Sequence, residues 1–228
     1  MREIPSKDFK SEAIVLKRTN YGEADRILQI ITPAGKMAVM AKAVRKEKSR
    51  LAGGIEMFCL SDIVLHKGSS DLSVLTSAKM KEFYKGILTD LDRIELASEI
   101  LKKISRAADM TDSEGYFSLA KQCLIALDKH ANSVLIEAWF YLNLANICGE
   151  QVNIITDTRG EKLQADQQYT WDSTENALRV AKGGKIGANE IKMMRLMLSA
   201  DLSLILRVAG KDEMAGEILY IAKAVNQI

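Results

Sequence analysis

Histidine and cysteine are scarce, and their placement excludes several chemistries. His66 and His130 are the only histidines, and neither has a cysteine or carboxylate nearby at metal-ligand spacing. Cys59, Cys123 and Cys148 are odd in number, far apart and set among apolar residues, which fits reduced core thiols better than a disulfide frame. No G-x-S-x-G, Walker A or H-E-x-x-H motif occurs, and the carboxylates show no convergent pair. The residues therefore point away from an enzyme and call for no cofactor. No apolar run approaches the roughly 20 residues of a membrane span. The opening residues, MREIPSKDFKSEA, contain no apolar signal core. Both absences predict a cytoplasmic protein. Aromatic residues are only 6% of the chain, so few side chains are available to stack on a planar ligand.

What is present is ordinary core-forming content, 47% hydrophobic and 27% charged in 228 residues. That allows one large domain or two modest ones. Charge is the uneven quantity. Residues 1–81 carry 15 Lys and Arg against 9 Asp and Glu, a net of +6, whereas residues 82–228 carry 17 against 21, a net of −4. A basic first third joined to a mildly acidic remainder suggests two modules, the first of which would meet a polyanion. Within it, Lys36, Lys42, Arg45, Lys46, Lys48 and Arg50 lie in fifteen residues, against the single acid Glu47.

The first module reads as strands. Residues 10–18, 24–32, 36–44, 55–66 and 72–80 are short strand-forming runs separated by brief turns. The turn at Thr32-Pro33-Ala34-Gly35 combines a residue with fixed φ and one that tolerates positive φ, which predicts a hairpin. Five such strands in about eighty residues suggest a small closed sheet, because closure removes exposed edges. A five-stranded OB-type barrel is the natural candidate, and an SH3-like barrel fits the count nearly as well. The basic cluster then falls at the end of the third strand and in the loop before the fourth, bordering the oligonucleotide-binding face of an OB-fold. Its cations would neutralise phosphates whatever the base sequence. The bland alternative is a solvated loop, and it suits Lys36 best. Tyr21, beside Gly22, is the best candidate for base stacking, and Phe58 reads as core.

From Phe83 the apolar period moves towards 3.6. Helices are predicted over 90–108, 111–129 and 133–148. Thr111 and Glu114 form a capping-box pattern, and Gly149 sits at a helix end. Residues 150–186 interrupt the pattern with a small hairpin, 168–172 with 177–182. Helices resume over 189–200, 201–208 and 211–225. Met193, Met194 and Met197 read as core filler. Gly183-Gly184-Lys185-Ile186-Gly187 lies between a predicted strand and a predicted helix and could cradle a phosphate, although a turn and a helix cap explain it more simply. The expected architecture is α+β, with a barrel over 1–81 and an α-helical domain over 82–228 carrying a hairpin insertion near 150–186.

Two runs, G-E-A-D-R at 22–26 and A-K-A-V-R-K-E-K-S-R-L-A-G at 41–53, in that order and spacing, resemble the N-terminal region of the bacterial recombination protein family RecO. The resemblance implies an N-terminal OB-fold followed by an α-helical domain. It implies binding of single- and double-stranded DNA, annealing of complementary strands, and cooperation with RecR and single-strand-binding protein so that RecA can load, with nucleoid association. It maps DNA-binding roles onto Lys42, Arg45, Lys46, Lys48 and Arg50. Arg26 joins them through the first motif, with loop-holding pairing to Asp25 or Glu23 as its alternative role. Many family members carry a four-cysteine zinc site in the helical domain. Here the equivalent region keeps only Cys148, so no metal is expected. An RNA-binding OB module is the alternative function, and a nucleotide-using enzyme built on Gly183–Gly187 a third.

Overall fold

The computed structural model describes residues 8–67, 72–111 and 115–226. They form two compact units, residues 1–124 and 125–228, and the division falls inside a helix.

Five strands make up most of the first unit: β1 (Asp8–Tyr21), β2 (Asp25–Thr32), β3 (Gly35–Ala41), β4 (Cys59–His66) and β5 (Ser73–Phe83). They close into a barrel in the order β1-β2-β3-β5-β4. All pairings are antiparallel except β3 with β5, a short parallel contact of Val39 with Ser73 and Met40 with Val74. This is the OB-fold connectivity, so the SH3-like alternative falls away. β1 makes closure possible. Its first half, to Ile14, pairs with β4, its second half pairs with β2, and a register shift between Val15 and Lys17 bends it between the two. The hairpin at Thr32 forms as expected. Gly35 adopts φ 107°, and the Thr32 hydroxyl accepts from the Ala34 N–H and donates to the Gly35 carbonyl.

Alternation fills the interior with Ala13, Val15, Leu28, Ile30, Val39, Ala41, Ile63, Leu65 and Leu75. Ile14 and Ile31 are out of phase with that set, yet neither has any exposure. They lie on the outer face, against which α1 (Leu91–Met110) packs. Asp90 caps α1 by accepting from the Asp92 N–H at 2.9 Å, and Ala97, Ile100, Leu101, Ile104 and Ala107 are its buried stripe. Leu91, in the first turn, is exposed. Of the proposed capping pair, Thr111 ends α1, its N–H bonded to the Ala107 carbonyl at 3.0 Å, and Glu114 lies outside the described residues. The next helix, α2 (Gly115–Asp128), buries Phe117, Ala120, Cys123, Leu124 and Leu127 as its apolar spacing predicts.

The second unit is built round α3 (Ser133–Ile147), which is buried on nearly every side and so reads as apolar all round. Asn132 caps its start, and Gly149 (φ 83°) ends it, with Glu150 N–H reaching back to the Ala145 carbonyl at 2.8 Å. The insertion is a three-stranded sheet, not only a hairpin. β7 (Tyr169–Asp172) and β8 (Ala177–Val180) form the antiparallel pair, and β6 (Asn153–Asp157) adds to β8 in parallel. Three helices follow: α4 (Ala188–Ser199), the single turn α5 (Leu202–Ile205), and α6 (Lys211–Val225), which packs along α3. Met193, Met194 and Met197 are buried, as core filler should be. No helix among the described residues is long and apolar enough to cross a membrane.

Candidate nucleic-acid interface

Leaving β3 at Ala41, the chain must turn sharply to reach β4, and each step of that turn has a cause. Val44 drops into the barrel core. Ala43 takes a left-handed conformation, φ 51°, which costs a residue with a Cβ about 1 kcal/mol. Its N–H is received by the Asp25 carboxylate at 2.6 Å. The Arg45 N–H then bonds to the Ala24 carbonyl at 2.9 Å, and the Arg45 guanidinium bonds to the Gly22 carbonyl at 3.2 Å. Lys46, Ser49 and Leu51 close successive turns. A short 3-10 helix, Ala52–Ile55, brings Ile55 into the core. Gly54 lies so close to the Ala78 carbonyl of β5 that a Cβ would overlap it. The two sequence motifs thus meet: the 22–25 turn is the bracket that holds the 42–50 segment.

The pinned backbone projects its cations outward. Lys42, Arg45, Lys46, Lys48 and Arg50 are all exposed, with Glu47 the one acid among them. Among the described residues, Lys42, Lys46, Lys48 and Arg50 engage no side-chain hydrogen bond or ion pair. Their charge is therefore uncompensated locally, the condition in which lysine and arginine release counterions from a polyanion. Two expected members differ. Arg45 spends part of its guanidinium on Gly22. Arg26 is half-buried and donates from Nε to the Asn20 side chain at 3.1 Å, not to Asp25 or Glu23. Asp25 is already engaged by Ala43, which explains the exchange of partner.

Lys36 is not part of this surface. It lies on β3, where its ammonium bonds to Asp109 at 2.6 Å and to the Ser105 carbonyl at 2.9 Å, both on α1. The solvated-loop reading fails for it, but so does a place in the basic cluster. Sequence reasoning also missed Arg18, which pairs with Glu56 at 2.7 Å just past the 3-10 helix, because 38 residues separate them.

Tyr21, the last residue of β1, is 54% exposed, and its backbone faces Asp25 across the hairpin. Phe58 is buried, as its apolar setting predicts, with φ 57°. His66 is exposed at the end of β4 and pairs with Asp8 at 2.8 Å. No three His, Cys, Asp or Glu among the described residues are grouped as a metal would need.

The glycine-rich loop at 183–187 is accounted for by packing. A Cβ on Gly184 would overlap the Tyr169 backbone. The Glu190 carboxylate accepts from the Gly187 N–H at 2.8 Å and occupies the start of α4, where a phosphate would need free amides. Lys185 pairs with Glu217 at 2.9 Å.

Residues 6–84, which contain the barrel and the basic segment, match the family model described as Recombination protein O N terminal. A DNA repair protein RecO of Dehalococcoides mccartyi is 26% identical over 225 residues, covering 95% of this chain and 88% of that protein. One from Desulfitobacterium hafniense is 25% identical over 233 residues, covering 94% and 82%. One from Rubrobacter xylanophilus is 34% identical over 143 residues, covering 62% and 57%.

Proposed function

We propose that the chain is a DNA repair protein of the RecO family, that it binds single- and double-stranded DNA through the 42–50 segment and that it anneals complementary strands. The same proposal has it act with RecR to help RecA load onto DNA coated by single-strand-binding protein, in the cytoplasm at the nucleoid. The observation that carries it is the set of four exposed, unengaged cations, Lys42, Lys46, Lys48 and Arg50, on a backbone fixed by Asp25, Val44 and Gly54.

The physics suits annealing without covalent chemistry. Two complementary strands repel each other through their phosphates. Cations that contact phosphate and not base edges lower that repulsion for any sequence and leave the pairing edges free. A rigid loop concentrates the charge and loses little ordering entropy on binding. Tyr21, at the edge of the loop, supplies a sequence-tolerant stacking surface. Arg45 serves both as a contact and as part of the bracket, and Arg26 supports the adjoining strand ends. The barrel region, residues 1–81, carries this work, and the α-helical remainder carries the contacts with protein partners.

The test is annealing of complementary oligonucleotides pre-coated with single-strand-binding protein. The protein should accelerate it severalfold over the coated strands alone. Binding without acceleration would remove the mediator reading, and a clear preference for RNA over DNA of the same sequence would replace it with an RNA-binding one.

A further inference from the structure

The outer face of the barrel is divided into an open and a closed part. On β1 and β2 the outward positions form rows: Thr19 with Ile27, Lys17 with Gln29, and Ile14 with Ile31. β3 extends them with Met40 beside Ile27, Ala38 beside Gln29 and Lys36 beside Ile31. Near the basic segment the rows are accessible: Tyr21, Thr19 and Ala38 are exposed, and Ile27 and Met40 are half-buried. At the Ile14–Ile31 row exposure falls to zero. The boundary is made by α1, whose Ser105 hydroxyl donates to the Gln29 side chain at 3.1 Å. One row further on, Lys36 is held by Asp109 and Ser105, leaving its side chain 10% exposed.

We infer that α1 is a fixed stop on the nucleic-acid path, so that the barrel face takes a short unpaired segment, on the order of four nucleotides, the low end for OB-folds. This rests on the single-strand reading above. The open rows from Tyr21 to Lys17 span four residue steps along the strand, roughly 13 Å. Tyr21, Ile27 and Met40 offer apolar and aromatic surface to base faces, and Lys17 and Lys42 supply cations at its edges. A strand continuing across the sheet would meet Ser105 at the Gln29 row. Lys36 is the next cation along that line, and Asp109 withholds it.

The experiment titrates the full chain with labelled oligothymidylates of 3–20 nucleotides at several salt concentrations. Affinity should climb steeply to about four nucleotides. Beyond that it should rise only in proportion to the number of overlapping positions, at constant salt slope. Affinity and slope that keep climbing past about ten nucleotides would overturn the stop. Absence of salt-dependent binding at every length would instead defeat the single-strand reading on which it rests. Asp109 is an exposed side chain, so D109A should fold. It should steepen the log–log salt slope by about 0.7, the increment for one further phosphate on a single strand, and K36A/D109A should return it to the parent value. Equal slopes in D109A and K36A/D109A would show that Lys36 does not adjoin the path and would overturn the boundary.

Discussion

The Asp25 carboxylate receives the Ala43 N–H at 2.6 Å and so fixes the first residue of β2 to the second residue past β3. One carboxylate thereby stabilises a left-handed alanine and sets the direction in which the following cations leave the barrel. Asp25→Ala leaves that N–H without its acceptor, at a cost of about 1–2 kcal/mol. Thermal unfolding and oligonucleotide affinity should both fall. Asp25→Asn keeps an oxygen at the same place and should stay near the parent in both. Affinity unchanged in Asp25→Ala, with stability alone reduced, would show that the bracket does not position the cations.

Tyr21 is expected to contribute through its ring and not through charge. Tyr21→Ala should weaken single-strand binding by about 1–3 kcal/mol per stacked base and leave the salt slope as it was. Tyr21→Trp should retain affinity. Fluorescence titration at several salt concentrations separates the two effects, and a loss of slope in Tyr21→Ala would contradict a stacking role.

Adjacent glycines give a contrast in packing. A Cβ on Gly54 overlaps the Ala78 carbonyl, whereas one on Gly53 meets nothing within contact distance. Gly54→Ala should destabilise the barrel by about 1–3 kcal/mol, and Gly53→Ala should be close to neutral, by denaturant unfolding. Equal effects would mean that the 3-10 helix does not lie against β5 as described.

Asp157, in the small sheet, is buried, which opposes its charge. The Arg159 guanidinium and the N–H groups of Arg159 and Glu161 outweigh that and hold its pKa below the ordinary carboxylate value. A carboxylate with a depressed folded pKa adds stability above its unfolded pKa and loses it as pH falls through the folded one. Amide exchange at Arg159 and Glu161 should therefore be slow at neutral pH and accelerate, beyond the intrinsic rate, below about pH 4. Asp157→Asn should be faster at neutral pH and show no such step.

Much of the barrel was legible because alternation and turn chemistry are local. The Thr32–Gly35 turn, the five strands and the place of the basic segment all follow from neighbouring residues. The second unit's helices were legible for the same reason, through apolar spacing and the glycine after Cys148. Less local features were not. β6 pairs in parallel with β8, a partner some twenty residues away with no hairpin to announce it. The 201–208 helix shrank to one turn, after which the Arg207 and Val208 N–H groups bond three residues back, to the Leu204 and Ile205 carbonyls, and left-handed Gly210 precedes α6. The cations were visible as a run of charge, but the division among them was not. Lys36 is claimed by Asp109, 73 residues away, and Arg45 by the carbonyl of Gly22. Only the folded chain separates cations engaged by protein from those left for a ligand.

The most direct measurement is the salt dependence of single-strand binding by K42A/K46A/K48A/R50A against the parent and against Lys36→Ala. If these four cations form the interface, the quadruple variant should bind far more weakly. Its log–log slope should be shallower by up to about 2.8, at 0.7 per lost phosphate contact, and Lys36→Ala should match the parent. A quadruple variant that binds with the parent's affinity and slope would contradict the interface.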